Sequence, residues 1–312
     1  MARYLERAEN TARIINVNAN LLLDLPIKVE VGWKPLVEIT GSEALFEEHY
    51  KDYSEANVVR FLIGDRRNPG SILTALYYAR ENARTIRDII PRESWENINE
   101  LYMHAKDRLQ SGYSKRGRYD YLDKVITGNQ LNTGLLAGTM THDYGYLFLK
   151  MGRNLERGDM TTRIIDVRSA DLIADEGGEL TPFGNIQWMS VLKSMTGYQM
   201  YRRQEQTQVR RPQVLRFLFQ NRDFPRSVYH SVSEVENCLH LLPRNEDPLQ
   251  TVVHLKRVLS DTSPDRLMQR ELHDFIDVLQ IKLAELHDHI TSNYFAVGQM
   301  AQEQSQSQSS AA

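Results

Sequence analysis

The chain is poor in the features that would mark it as secreted, membrane-spanning or nucleotide-binding. One cysteine, Cys238, in 312 residues leaves no partner for an intramolecular disulfide and too few thiols for a cysteine-rich metal site. No apolar run approaches the ~20 residues that a bilayer-spanning helix needs. The longest candidates, 19–25 and 145–151, are short or amphipathic. Arg3, Glu6, Arg7 and Glu9 interrupt the N-terminal stretch where a signal peptide would carry its apolar segment. No GxxxxGK or GxGxxG phosphate loop and no GxSxG elbow is present. Nor is basic charge concentrated. The 38 Lys and Arg are interspersed with 41 Asp and Glu for a net charge of −3, whereas a nucleic-acid binder usually gathers its cations on one face. These absences predict a cytoplasmic protein with no cofactor, no metal, and no nucleic-acid or membrane partner.

Strand signals are scarce too, and helical periodicity runs through the chain. It predicts helices at 2–25, 43–51, 58–63, 72–90, 93–110, 118–150, 151–173, 185–203, 212–221, 228–242, 247–259 and 266–295. Pro26 and Pro35 make 28–39 read as an extended connector. Residues 112–117 read as a polar break, and 175–182 as an acid- and glycine-rich loop. The Gln- and Ser-rich stretch 299–312 reads as disordered. Ser42 and Ser71 are placed to cap the helices that follow them. Cys238, set among Val235, Leu239 and Leu241, reads as core. Glu236 with His240 and Glu285 with His289 share helix faces at i,i+4, but matching Glu-x-x-His sets are missing from the other half, so no metal site is assigned.

One fifteen-residue phrase occurs twice. Residues 3–17 read RYLERAENTARIINV and residues 153–167 read RNLERGDMTTRIIDV, identical at nine of fifteen positions in a register of 150. A second correspondence follows it. The turn Arg66-Arg67-Asn68-Pro69-Gly70-Ser71 matches Arg222-Asp223-Phe224-Pro225-Arg226-Ser227 at an offset of 156, with Phe61-Leu62 matching Phe217-Leu218 ahead of it. Repetition on this scale predicts an all-α helical bundle built from two tandem, structurally similar repeats. The first is 1–150 and the second is 151–298, packed on the first as one bundle. A long final helix in each repeat should return against the helix that carries the phrase.

On a helical wheel Leu5, Ala8, Ala12 and Ile15 cluster on one side. Arg3, Glu6, Glu9, Asn10 and Arg13 occupy a separate arc of roughly 120°. Ile14 and Val17 border that arc, so the charges are hemmed in by apolar residues. The candidate polar cluster is therefore Glu6, Glu9 and Arg13, with Glu156, Asp159 and Arg163 as its second copy. Glu9–Arg13 and Asp159–Arg163 are i,i+4 pairs in the favourable order. Arg7 points away from the arc, which predicts different partners for Glu6 and Arg7. Three readings stand: a semi-buried network joining helices, a polar pocket whose arginines clamp a carboxylate or phosphate, or a surface contact. Arg66 and Arg222, just before helix N-termini, are anion candidates of the same kind, beside the plainer reading of a capped turn.

The phrase Tyr4-Leu5-Glu6-Arg7-Ala8-Glu9-Asn10-Thr11-Ala12-Arg13 resembles the bacterial alpha-E family, all-helical proteins named for a Glu-Arg motif. The similarity covers nearly the whole chain except its tail. The resemblance implies a genomic or fused neighbour of two kinds, a circularly permuted ATP-grasp ligase and a transglutaminase-like protein, and a part in amide-bond or peptide synthesis. It implies a helical accessory subunit for such a ligase, with the Glu/Arg clusters as candidate substrate contacts. The alternatives are a stand-alone enzyme using Glu6 or Glu156 as general base, or a structural scaffold. Family members carry about ten further residues before the phrase. Here Tyr144-Gly145-Tyr146-Leu147-Phe148-Leu149 precedes the second copy, while the first begins almost at Met1. Either the start is assigned late or the opening helix is short, and the first cluster should be the less covered. If one cluster alone works, the expectation falls on Glu156 and Arg163.

Overall fold

The computed structural model describes residues 1–24, 32–170, 181–206 and 208–295. Its organising element is α1 (Ala2–Asp24), which runs through the interior. Leu5, Ala8, Ala12, Ile14 and Ile15 are all buried, so α1 meets neighbours on several sides. They are α5 (Ile72–Thr85), α8 (Lys115–Thr139), α9 (Tyr144–Ala170) and α10 (Thr181–Ser194). The second long central helix, α9, packs on α13 (Val228–Leu239) and α15 (Gln269–Tyr294). As the phrase predicts, α8 returns against α1 and α15 against α9. A single buried apolar cluster runs from Leu5 to Ile290 without a gap between the elements around α1 and those around α9.

The remaining helices are α2 (Lys34–Ile39), α3 (Glu43–His49), α4 (Glu55–Gly64), α6 (Arg92–Asp107), α7 (Leu109–Tyr113), α11 (Tyr198–Glu205), α12 (Arg211–Gln220) and α14 (Glu246–Asp261), with a short 3-10 turn at Pro264–Arg266. The fold is all-helical: among the described residues there is no strand. Among them no helix is long and apolar enough to cross a membrane. Cys238 is buried in α13.

Several sequence expectations need correction. The expected polar break at 112–117 is helical on both sides of Ser114, which ends α7 and caps α8. Residues 34–39 are helix, not connector: Pro35 sits in the first turn, where its missing N–H costs nothing, and Pro35, Leu36, Val37 and Ile39 are all buried. The predicted helix 118–150 is two helices. Met140 turns extended, and Asp143 starts α9 by accepting a hydrogen bond from the Tyr146 amide at 3.2 Å. The predicted helix 185–203 also splits. Thr196 adopts φ +55°, and the Gly197 amide reaches back to the Leu192 carbonyl at 2.7 Å, a left-handed helix stop. Ser42 does not cap α3 through its side chain; its hydroxyl donates to the Thr40 carbonyl instead. Ser71 does cap α5, accepting from the Thr74 amide. Of the expected loop at 175–182, residues 175–180 lie outside the described residues and 181–182 open α10; the expected tail at 299–312 lies outside them as well.

Candidate functional site

Helices α1 and α9 lie side by side in parallel, in the register of the repeated phrase. Gly152 sits against Ala2 and Arg3, where a Cβ on the glycine would come within 3.4 Å of Arg3 Cγ. Sixteen residues further along α9, Arg168 donates to Asn18 Oδ1 at 2.8 Å. Between these points Glu6-Arg7 faces Glu156-Arg157. Neighbouring helix residues point about 100° apart, so a glutamate and the arginine next to it do not face each other. Each glutamate takes the arginine of the other copy. Arg157 donates twice to Glu6, from Nε at 3.1 Å and from Nη2 at 2.8 Å. Arg7 donates twice to Glu156, from Nε at 2.5 Å and from Nη2 at 3.0 Å. Two-point contact of this kind is the strongest form of guanidinium–carboxylate pairing.

Each glutamate also holds a second arginine. Arg3 Nε donates to Glu156 at 2.9 Å. Arg226, delivered by the turn before α13, reaches Glu6 Oε1, Asn10 Oδ1 and Glu9 Oε1, each at 2.7 Å. Glu9 further accepts from Arg13 Nε at 2.9 Å and Nη2 at 2.7 Å. Arg13 continues to the Thr196 hydroxyl at the break between α10 and α11. In α9 the equivalent pair is Arg163 Nε to Asp159 Oδ2 at 2.9 Å. Arg163 also lies against the turn at Gly41, where an added Cβ would sit 3.0 Å from its Nη1.

The two glutamates are equally buried, each 2% exposed, but their arginines differ. The side chains of Arg157 and Arg226 are 14% and 9% exposed, and those of Arg3 and Arg7 are 32% and 30%. Burial pushes the Glu6 carboxyl up, but the Arg226 and Arg157 guanidiniums outweigh it and hold the group at about 2. Burial works against the charge on Arg157 as well, and Glu6 overcomes it and raises the guanidinium above its usual value. Burial lowers Arg226, with Glu6 partly restoring it and Arg157 repelling it. Arg153 is lowered by burial and by repulsion from Arg157. Its Nε is buried without a hydrogen-bond partner, as is Asn129 Oδ1. Both residues line a cavity of about 20 Å³ beside Glu6 and Glu9, space for a single water. Glu6 therefore sits in a closed contact between helices, and Glu156, as little exposed, is closed over by Arg3 and Arg7. A groove of about 580 Å³ opens at the start of α1, lined by apolar residues of α9 and α15, with Arg3 and His287 at its edge.

Of the sequence candidates, Glu6, Glu9 and Arg13 come together, joined by Arg226. Asp159 and Arg163 pair with each other, and Glu156 pairs across to α1 rather than with Arg163. The cross-pairing through Arg7 and Arg157 is the feature the wheel missed, because it treated the arc of one helix in isolation. The separation of Glu6 from Arg7 was the available signal. Arg226 was missed as well, although the sequence places it opposite Gly70 in the matched turns. Neither anion candidate is aimed into a buried site: Arg66 is exposed, and Arg222 is exposed with its guanidinium over the Tyr229 ring, 5.3 Å from its centroid. At the surface, Asp166, His273 and Asp277 each bring one ligand-type atom within 4.8 Å of the others. His273 is occupied there as a hydrogen-bond partner of Asp166 at 2.8 Å, which raises the imidazole above its ordinary range.

A family model described as a predicted alpha-helical domain with a conserved ER motif, Alpha-E, matches residues 1–295. Among curated proteins, an uncharacterized protein of Mycobacterium bovis is 26% identical over 191 residues, covering 53% of this chain and 21% of that protein. An uncharacterized protein of Mycobacterium tuberculosis strain CDC 1551 matches to the same extent, and another from strain H37Rv is 25% identical over 191 residues. The match thus spans about a fifth of the length of these relatives. No solved structure matches the chain.

Proposed function

The chain belongs to the Alpha-E family, and from that membership and the closed state of its Glu–Arg cross we propose that it is a helical, non-catalytic accessory subunit of an ATP-grasp amide-bond-forming (peptide) ligase system. The observation that carries the reading is the saturation of both phrase glutamates. Each is bound by two arginines and is 2% exposed, and Glu6 lies beside a cavity no larger than a water. A general base must reach its substrate, and the Glu6 carboxyl, held at about 2, is a weak one. The cross acts instead as a lock that fixes the register of α1 on α9. Buried ion pairs contribute little net stability but can specify one arrangement over others.

The same reading takes the chain as two tandem, structurally similar repeats, 1–150 and 151–298, packed as one bundle. Several features recur at near-constant spacing in support. Left-handed helix stops at Gly41 and Thr196 are 155 residues apart, each followed by an amide bonded five residues back. Capping serines at 71 and 227 are 156 apart. The contacts are exchanged as well: α2 packs on α9 and α10 on α1. The protein would work in the bacterial cytoplasm, where its partner uses ATP, and a transglutaminase-like protein is the second expected partner. The mycobacterial relatives support a bacterial source.

Co-purification with the ATP-grasp ligase encoded beside it, at low salt, tests the reading. Association is expected, and ligase activity should survive Glu156→Gln in proportion to the folded fraction. No association, or abolished activity with unchanged stability, would overturn it in favour of a Glu-based active site.

A further inference from the structure

A continuous ladder of aromatic rings and arginines crosses the surface of α5 and α6 and ends on the phrase helix. Tyr4 meets Tyr78 with ring centroids 5.3 Å apart, Tyr78 meets Tyr77 at 5.4 Å, and Tyr77 meets Tyr102 at 5.9 Å. Arg80 lies 5.5 Å from the Tyr102 ring and 5.7 Å from Trp95, and Arg87 lies 5.3 Å from the other end of the ladder, the Trp95 ring. Arg7 of the cross sits 5.7 Å from Tyr4. Tyr77 and Tyr78 are 43% and 42% exposed, although α5 already buries Leu73, Leu76, Ala79 and Ala83 against the core.

Single exposed apolar residues are ordinary. A connected run of Tyr, Trp and Arg is the composition of an interface hot spot. Residues 72–107 carry five Lys and Arg against six Asp and Glu, but the arginines at the rings are only partly paired. Arg80 and Arg84 share one carboxylate, Glu81, and Arg92 takes Glu96 at the rim. Among the described residues no carboxylate lies within ion-pair distance of Arg87.

We propose that the Tyr77–Tyr78–Arg87 face is a docking surface for an acidic protein segment, one with carboxylates flanking an apolar stripe. The proposal deepens the accessory-subunit reading and rests on it for the identity of the partner, the ligase. Ring geometry favours protein over single-stranded nucleic acid. Base stacking needs free ring faces, and here guanidiniums lie over Trp95, Tyr102 and Tyr4. The exposed groups, Tyr77, Tyr78 and Arg87, suit apolar side chains and carboxylates.

The test uses the full chain and a triple variant, Tyr77→Ser, Tyr78→Ser and Arg87→Glu, all exposed positions where the fold should hold. Two probes are titrated: the purified ligase, and a synthetic sixteen-residue Glu/Leu amphipathic peptide with its Lys/Leu analogue as control. The expected result is binding of both ligase and acidic peptide that weakens at least tenfold in the variant and falls with salt. Ligase binding unchanged in the variant would overturn the surface and leave the accessory role standing. Acidic-peptide binding lost in the variant, with no ligase binding at all, would support the surface and overturn the role. Failure to bind the acidic peptide, equal binding of the Lys/Leu analogue, tighter binding of oligo-dT, or self-association abolished by the variant would each overturn the proposal.

Discussion

Replacing the two phrase glutamates one at a time with glutamine should give unequal losses, although both are 2% exposed. Glutamine keeps the shape and removes the charge, so the cost depends on the arginines left behind. In Glu6→Gln the amide oxygen can accept only one of Arg157's two hydrogen bonds and the counter-charge is gone, in a place where the arginine side chain is 14% exposed. Arg226 keeps Glu9 and Asn10. Breaking a buried pair from one side costs about 3–5 kcal/mol, because the remaining charge stays out of water. Without Glu156, Arg3 and Arg7, each about one-third exposed, can swing into solvent. Their loss should fall between an exposed pair's ~1 kcal/mol and the buried figure, at about 2 kcal/mol. Urea unfolding at pH 7, followed by far-UV circular dichroism, reads both values against wild type. Glu6→Gln should lower the midpoint about twice as far as Glu156→Gln. Equal losses, or a larger loss for Glu156→Gln, would refute the argument from arginine exposure.

The depressed Glu6 carboxyl makes stability depend on acid. A group lowered from its ordinary 4.5 to about 2 contributes stability that is complete above the ordinary value and disappears as pH falls from there towards 2. The contribution is about 3 kcal/mol, so the urea midpoint of wild type should fall more steeply than that of Glu6→Gln between pH 5 and 2.5; parallel profiles would count against it. Gly41→Ala forces a Cβ at φ +62° and 3.0 Å from Arg163 Nη1, so it should cost about 1–2 kcal/mol in the same assay; a neutral result would deny that the turn needs glycine. Removing the helix caps by Ser71→Ala or Ser227→Ala should cost ~1 kcal/mol each, with additive losses in the double variant if the two sites are independent. Burial pushes the Cys238 thiol up to about 11, so maleimide labelling at pH 7.5 should track global unfolding, and rapid labelling of the folded chain would show the thiol exposed.

The helices were legible wherever periodicity was long and the ends carried chemistry. Ser71 before α5 is an example. The breaks were harder. Thr196 stops α10 by taking a left-handed conformation that a threonine does not advertise, and Asp143 caps α9 from inside what read as one unbroken helix. Residues 34–39 read as a connector because a proline was taken as a helix breaker, when at the first turn it is compatible with helix. At the site, the i,i+4 pairs Glu9–Arg13 and Asp159–Arg163 could be drawn on one wheel. The cross could not, since it depends on how two helices 150 residues apart in sequence align. Arg226 needed more still: a turn from a third segment delivered to α1.

The most direct test is a set of double-mutant cycles over three pairs: Glu6 with Arg157, Glu156 with Arg7, and Glu6 with Arg7. If the motifs pair across helices, the first two cycles give coupling energies of at least ~1 kcal/mol and the third, between sequence neighbours that share no hydrogen bond, gives the smallest of the three. Strong coupling between Glu6 and Arg7, with none between Glu6 and Arg157, would contradict the cross and the lock built on it.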